Sequence, residues 1–154
     1  MTERSELIEL HNRLSKTLDE ERVAAKDKRH VKGYRTAREN LDDLVDKDTF
    51  VEYGQLAVAA QKSRREVEDL RTETAADGII TGFGKINADI LDDSKALSAI
   101  IINDYSVLAG TQGYYHHKKL DRICETAEKQ KLPVIMYTEG CLLYTSPSPR
   151  DWLQ

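Results

Sequence analysis

Two adjacent histidines, His116 and His117, are the first residues that suggest a chemical role. Neighbouring residues on a helix point in different directions, so the pair cannot easily bind one ion. No Cys, His or carboxylate stands beside them at ligand spacing, and the sequence therefore predicts no metal site. His117 precedes Leu120 by three residues, which favours a place on the buried face of a helix or at the rim of a ligand site. Cys124 shares an apolar stripe and is expected in the core rather than as a nucleophile. No Ser–His–Asp set is recognisable, so no catalytic side chain is predicted.

A loop of small residues, Ala109-Gly110-Thr111-Gln112-Gly113, separates a predicted strand at 105–108 from a helix that begins near Tyr114. The start of a helix leaves backbone N–H groups free. Such donors can hold a phosphate, a thioester carbonyl or an oxyanion. Many α/β proteins use such loops only for a tight turn, so the pattern alone leaves both interpretations open.

A basic window interrupts the first half of the chain. It is opposed only by Asp27, and its six cations within thirteen residues are Lys26, Lys28, Arg29, Lys32, Arg35 and Arg38. Such a cluster can bind phosphates. Charged clusters are more often a solvated helix face, and the sequence alone favours that interpretation.

The elements that would position these residues follow an α/β order in the second half. Strands are predicted at 79–86, 99–102, 105–108 and 134–138, and a helical stripe is formed by Leu120, Ile123, Cys124 and Ala127. A strand–helix–strand unit of this kind should cross over to a parallel neighbour. Gly78, Gly82 and Gly84 lie before and within a strand, which indicates close backbone packing rather than a dinucleotide-binding turn.

The first half indicates helices around one short strand. A helical stripe is formed by Leu7, Leu10, Leu14 and Leu18, which predicts an amphipathic helix packed on its own core or on another subunit. Thr36 and Glu39 have the spacing of a capping box. Residues 49–53 are rich in strand formers.

Composition limits the class of protein. The chain has 154 residues and a net charge of −4, which argues against a nucleic-acid partner. The sequence contains no run of 18 apolar residues, so no membrane span is predicted. Because the chain has only two cysteines, we expect it in the reducing cytoplasm. Residues 1–77 hold 33 of the 50 Lys, Arg, Asp and Glu side chains. We therefore expect a helical, charge-rich arm at 1–75 and an α/β core segment at 76–140, with a separate tail at 141–154.

Taken in order, the segments resemble the N-terminal part of the carboxyltransferase β subunit of biotin-dependent acyl-CoA carboxylases, the propionyl-CoA and acetyl-CoA carboxylase type. The resemblance runs through residues 6–140, and its matching stretches are ELHNRLSKTLDEER, GYRTARENLDDLVDKDTFVEYGQL, ADGIITGFGKI and INDYSVLAGTQGYYHHKKLDRICETAEKQKLPVIMYTEG. The last two stretches are the most specific.

The resemblance implies a crotonase-like (ββα-type) α/β fold, here as a partial domain after the helical arm. It implies a reaction that moves a carboxyl group from carboxybiotin, on a carrier protein, to the α carbon of an acyl-CoA. Backbone N–H groups would stabilise the enolate and ureido oxyanions. The implied partners are acyl-CoA, the biotin carboxyl carrier and the biotin carboxylase subunit or domain. Biotin would not be attached to this chain, and the full-length protein would be a homo-oligomer with active sites at its subunit interfaces.

The resemblance also suggests residues of the CoA site. Ala109, Gly110 and Thr111 lie at the loop that in crotonase-like folds approaches the CoA thioester. His117 and Lys118 lie in the matching Gly-to-His-Lys stretch and are expected to border the CoA. Arg35 and Arg38, from the basic window, are expected near the CoA phosphates.

The sequence departs from the family after Gly140, where a glycine-rich loop is expected and CLLYTSPSPRDWLQ follows instead. This ending looks like a translated sequencing adapter, and the alternative is a genuine short terminus. We expect residues 141–154 to be non-native and the chain to be an N-terminal fragment, inactive and poorly folded. The other functions left open are a different crotonase-like acyl-CoA enzyme, such as a hydratase or decarboxylase, and a non-catalytic module for carboxylase assembly.

Overall fold

The computed structural model describes residues 4–140, and the expected tail at 141–154 lies outside this range. The helices are α1 (Ser5–Ser15), α2 (Val23–His30), α3 (Ala37–Leu44), α4 (Val67–Glu73), α5 (Asp93–Ala96) and α6 (Tyr114–Gln130), and the strands are β1 (Val51–Glu52), β2 (Ile79–Lys85), β3 (Leu97–Asn103) and β4 (Val134–Tyr137). Four of the five predicted strands and the helix that begins at Tyr114 are therefore confirmed, although β1 is shorter than expected.

The four strands form one sheet in the order β1-β2-β3-β4. β1 and β3 are each antiparallel to β2, whereas β3 and β4 are parallel. α6 makes the crossover between the parallel pair, as the sequence predicted for a strand–helix–strand unit. β3 is buried on both faces, because Ala99, Ile100 and Ile101 are each 0% exposed. Its continuous apolar run is therefore explained by a helix layer on either side.

The two faces of the sheet carry separate apolar clusters. On one face, α3 packs through Ala37 and Leu41 against Ile80, Ile100 and Ile102. On the other face, α6 packs against the sheet in a cluster of Ile79, Ala99, Ile101, Ile123 and Ala127. Alternate residues of each strand therefore pack against the helices on opposite faces of the sheet, because successive side chains of a strand point to opposite faces.

The arm is joined to this sheet by β1 and α3. The predicted capping box is present: Thr36 Oγ1 accepts from the Glu39 N–H at 3.0 Å, and Glu39 Oε2 accepts from the Thr36 N–H at 2.8 Å. β1 pairs Val51 with Phe83 and Glu52 with Gly82. The division at residues 75 and 76 stays a prediction.

Helix α1 is exposed over residues 5–12 and half-buried at Arg13, Leu14 and Ser15. It contains no buried residue, and Leu7 and Leu10 are 45% and 37% exposed. The helix ends at Ser15, so Leu18 lies beyond it. The predicted stripe is thus amphipathic without being buried by residues 4–140. Within the same range, no helix is both long and apolar enough to cross a membrane.

The predicted strand at 105–108 is wrong. Asp104 closes a turn, with its carbonyl accepting from the Val107 N–H at 3.1 Å and its carboxylate from the Ser106 N–H at 2.9 Å. Leu108 and Ala109 then adopt positive φ angles of 49° and 54°. A strand cannot pass through such residues, so β3 leads directly into a turn-rich loop.

Candidate functional site

A large cleft lies between α2 and the loop that follows β3. Its volume is about 880 Å³, and its lining includes Lys28, Lys32, Tyr34, Tyr105, Ala109 and Glu139. The basic window and the small-residue loop, which are separated by 70 residues or more in the sequence, therefore face the same space. Neither sequence pattern by itself predicted that the two segments would line one cleft.

Two lysines give the cleft free positive charge. Lys28 lies in the last turn of α2 and Lys32 in the turn that follows, and both are exposed. Neither has an ion-pair or hydrogen-bond partner among residues 4–140. Uncompensated cations on the wall of a cleft attract anionic groups such as phosphates.

Arg29, by contrast, is already ion-paired. Its Nη1 and Nη2 donate to the two carboxylate oxygens of Glu139 at 2.8 and 2.7 Å. Nε and Nη2 also donate to the Arg35 carbonyl at 3.1 and 3.0 Å. The rings of Tyr34 and Tyr105 lie 5.0 and 5.5 Å from the guanidinium carbon. Arg29 therefore connects the walls of the cleft, and only one N–H group, on Nη1, is left for a ligand.

The loop after β3 is held firmly at its far end. Gly110 has a φ of 73°, and a Cβ there would lie 2.5 Å from the Glu139 carbonyl oxygen and from the Gly140 Cα. The two loops that follow the parallel strands β3 and β4 are thus in backbone contact. Only glycine permits that approach with a positive φ.

The backbone N–H groups of the three loop residues predicted from the sequence differ in their hydrogen bonding. The Gly110 N–H donates to the Val107 carbonyl at 2.9 Å and the Thr111 N–H to the Leu108 carbonyl at 3.1 Å. The N–H of Ala109 has no acceptor among the described residues. Of the three loop residues predicted from the sequence, Ala109 therefore has both a place on the cleft and a free N–H group.

His117 and Lys118 are exposed in the first turns of α6 and do not line this cleft. Of the two places expected for His117, the buried face is wrong, because the buried residues of α6 are His116, Lys119, Ile123 and Ala127. The predicted stripe is confirmed at Ile123 and Ala127, which are buried, and at Leu120, which packs against the same cluster. Cys124 is exposed, contrary to its expected place in the core.

His116 and Asp77 form a buried pair at the start of α6. Asp77 Oδ2 accepts from the His116 N–H at 2.8 Å, and the His116 Nδ1 lies 3.2 Å from the Asp77 carbonyl oxygen. Burial raises the pKa of the Asp77 carboxyl and lowers the pKa of the His116 imidazole. In residues 4–140 no three His, Cys, Asp or Glu side chains gather as a metal site would require.

Arg35 and Arg38 are both engaged in ion pairs. Arg38 donates to both carboxylate oxygens of Glu52 at 2.5 and 3.1 Å, and the two side chains are only 12% and 10% exposed. Arg35 pairs with Asp43 at 3.0 Å in an exposed position. Their predicted contact with phosphates stays a prediction, and the structure does not bring them to the main cleft.

A smaller side cavity of about 320 Å³ adjoins the cleft and shares Arg29, Tyr34 and Glu139 with it. Its wall includes Asn103, the last residue of β3, whose side-chain oxygen is buried without a hydrogen-bond partner in the described structure. A buried acceptor without a partner costs about 1–3 kcal/mol. No sequence pattern distinguished Asn103 from its neighbours.

Comparison with known proteins decides the family. The family model described as "Carboxyl transferase domain" matches residues 28–141. The chain belongs to the carboxyl transferase family. This match contains the basic window from Lys28 onwards and the loop after β3, so residues from both walls of the cleft belong to the family domain.

Individual relatives agree with this assignment. The biotin-dependent acetyl-/propionyl-coenzyme A carboxylase beta5 subunit of Mycobacterium leprae (strain TN) is 32% identical over 139 residues, which are 90% of this chain and 24% of that protein. Methylmalonyl-CoA decarboxylase subunit alpha of Veillonella parvula is 31% identical over 131 residues, 82% of this chain and 23% of that protein. The chain thus spans about a quarter of the length of these curated relatives.

A solved structure confirms the fold. A single-chain, multi-domain long-chain acyl-CoA carboxylase superimposes with a TM-score of 0.88 at 46% identity, covering 97% of this chain and 15% of that one. The predicted crotonase-like α/β fold of carboxyl transferase domains is therefore correct.

Proposed function

We propose that the cleft binds the CoA part of an acyl-CoA, and that the whole protein is a biotin-dependent acyl-CoA carboxyltransferase. The observation that carries the proposal is the meeting of two unpaired lysines, Lys28 and Lys32, with the free Ala109 N–H in one cleft. An acyl-CoA has the same order of groups, with phosphates at one end and a thioester at the other. Family membership and the carboxylase relatives support the same assignment.

The proposed reaction needs charge stabilisation more than acid or base side chains. Removal of a proton from the α carbon places negative charge on the thioester oxygen. A fixed N–H donor such as that of Ala109 stabilises this charge without having to reorient. Carboxybiotin, carried by a separate protein, would supply the carboxyl group. No described residue is assigned to biotin.

The remaining predicted contacts stay part of the proposal. Gly110 and Thr111 fix the shape of the loop through their internal hydrogen bonds. His117 and Lys118 would border the CoA from the exposed start of α6. Arg35 and Arg38 remain proposed phosphate contacts, although their ion pairs favour Lys28 and Lys32 for this role.

The proposal extends to partners and location. The whole protein would act with a biotin carboxyl carrier and a biotin carboxylase subunit or domain, as a homo-oligomer in the cytoplasm. The exposed apolar side of α1 is compatible with a subunit contact.

Decarboxylation of an acyl-CoA is a second candidate, favoured by the similarity to the methylmalonyl-CoA decarboxylase subunit. Loss of carbon dioxide from the α carbon of a malonyl-type thioester gives the same enolate that carboxylation consumes. The same cleft and the same N–H donor would therefore serve both directions. Assays of the whole protein with an acyl-CoA and with a malonyl-type CoA would distinguish them.

The cleft is tested by calorimetric titration of CoA into the chain. The double variant Lys28→Ala/Lys32→Ala should bind CoA roughly 10- to 100-fold more weakly, because each lysine is expected to contribute a charge-assisted hydrogen bond. Lys47→Ala/Lys62→Ala is the matched control, since both of these lysines are exposed and lie outside the cleft. Equal affinities of the two double variants would contradict the proposal.

A further inference from the structure

Asn103 stands out as a buried amide without a hydrogen-bond partner. The residue is 6% exposed, and its Oδ1 has no partner in the described structure. No hydrogen bond from its Nδ2 is found in residues 4–140 either. More than nine in ten buried polar groups in proteins are paired, so a buried amide oxygen left unpaired indicates a missing partner.

The position of Asn103 points to a ligand as that partner. It ends β3, and Tyr137 and Thr138 at the end of the parallel strand β4 line the same side cavity. Ligands of α/β proteins bind beyond the carboxyl ends of parallel strands. The cavity joins the main cleft through residues common to both, among them Tyr34 and Glu139. A ligand seated in the cleft can therefore extend an arm towards Asn103.

The chemistry of the amide limits what that arm can be. Rotation of the Asn103 side chain by half a turn exchanges its oxygen and nitrogen, so it can present an acceptor or a donor. Its natural complement is a group that carries N–H and C=O together. The neighbouring Ile102 and Tyr137 provide apolar surface for the carbon chain of such an arm.

We propose that Asn103 is a specificity-determining residue that binds an amide-type group of the ligand. This inference rests on the proposed function, which supplies two sources of that chemistry. One is the amide-containing pantetheine arm of CoA, and the other is the ureido ring of biotin. The main cleft recognises the phosphates, and Asn103 recognises the arm.

The test compares ligands with and without the arm. The variant is Asn103→Leu, which keeps the approximate shape and removes both polar atoms, and its control is the exposed Asn12→Leu on α1. CoA, adenosine 3′,5′-bisphosphate and biotin methyl ester are titrated separately into the full chain. Asn103→Leu should weaken CoA binding roughly tenfold and leave the bisphosphate, which lacks the pantetheine arm, unchanged. If biotin methyl ester alone is weakened, the ureido ring is the source.

Two results would overturn the inference. The first is that Asn103→Leu loses affinity equally for CoA and for the bisphosphate. The second is that its affinities for CoA and for biotin methyl ester both equal those of the unaltered chain. If the unaltered chain binds neither CoA nor the bisphosphate, the proposed function itself fails. If it binds CoA and Asn103→Leu does so equally, with no effect on biotin methyl ester, only the role of Asn103 fails.

Stability gives a second, independent signature. Replacing an unpaired buried amide with an apolar group should leave the melting temperature of the free chain unchanged or raise it, whereas a structural amide would lower it. In the unaltered chain, NMR should show the Asn103 side-chain NH₂ signals moving when CoA is added and staying in place with the bisphosphate. This measurement remains decisive if the leucine variant does not fold, and unmoved signals with both CoA and biotin methyl ester would overturn the inference.

Discussion

Lys28 and Arg29 are adjacent cations with opposite roles. Lys28 has no partner among the described residues, whereas the Arg29 guanidinium is neutralised by Glu139 and also contacts the Arg35 carbonyl and two tyrosine rings. Charge counting in the sequence treats the two alike. At the residue scale, the useful distinction is whether a cation is already neutralised, and this depends on Glu139, more than a hundred positions away.

Lys119 makes stability depend on pH in a specific window. Its side chain is buried, and Nζ donates to the carbonyls of Ala76, at 2.9 Å, and Ile79. Burial lowers the pKa of Lys119 to about 8. Between this value and the ordinary value of 10.5, the unfolded chain binds the proton and the folded chain does not. Raising the pH through the window therefore favours the folded state.

The measurement is urea unfolding of the parent chain and of Lys119→Met at several pH values from 7 to 10.5. The difference in unfolding free energy, parent minus variant, should rise by about 1–3 kcal/mol across this range. Other titrating groups cancel in the difference. A difference that stays flat would show that Lys119 has an ordinary pKa in the folded chain.

At the scale of elements, Gly82 is needed for the pairing of β1 with β2. A Cβ at Gly82 would lie 2.4 Å from the Val51 carbonyl oxygen and 2.5 Å from Cζ of Phe50. We expect Gly82→Ala to force the strands apart and lower the unfolding free energy by about 1–3 kcal/mol. Gly33→Ala is the control, because Gly33 has a φ of 75° but nothing within 4 Å.

Hydrogen exchange separates these two glycine variants. The Tyr53 N–H donates to the Thr81 carbonyl at 2.7 Å, just beyond β1. Gly82→Ala should speed exchange of the Tyr53 amide, while Gly33→Ala should cost only its local backbone strain and leave that amide protected. Unchanged protection in Gly82→Ala would mean that the strands absorb the methyl group.

The sequence predicted those elements whose signals are local. The capping box of α3, the apolar run of β3 and the start of α6 at Tyr114 all depend on neighbours within a few positions. The strand at 105–108 failed because strand-forming residue types were overridden by the Asp104 turn and the positive φ of Leu108. The burial of Lys119 on α6 was not predicted, because the aliphatic stem of this lysine takes a core position that hydrophobicity alone assigns to apolar residues.

The site was predictable only in pieces. The basic window and the small-residue loop were both recognised, but their shared cleft depends on how α2 packs beside the loop after β3. Asn103 could not be found at all from the sequence, because an unpaired amide is a property of its surroundings. Sequence spacing identifies the neighbours of a residue along the chain. It does not show which side chains lack a hydrogen-bond partner in the folded structure.

At the scale of the whole molecule, one edge of the sheet is exposed. β4 pairs only with β3 among the described residues, and Val134, Met136 and Tyr137 are 47%, 37% and 40% exposed. An apolar strand with open backbone N–H and C=O groups is a template for pairing with another chain. The exposed Leu7 and Ile8 of α1 form a second apolar surface, although a helix offers no backbone groups for such pairing.

We therefore expect the 154-residue chain to self-associate through β4. The double variant Val134→Lys/Met136→Lys should shift sedimentation-velocity profiles from oligomer towards monomer and reduce binding of a hydrophobic dye, because charges on an edge strand oppose pairing. Gln130→Lys adds a charge to the exposed end of α6 and should leave association unchanged. If Leu7→Glu/Ile8→Glu disperses the oligomer while the β4 variant does not, α1 is the surface responsible. The open sheet edge would then not drive association.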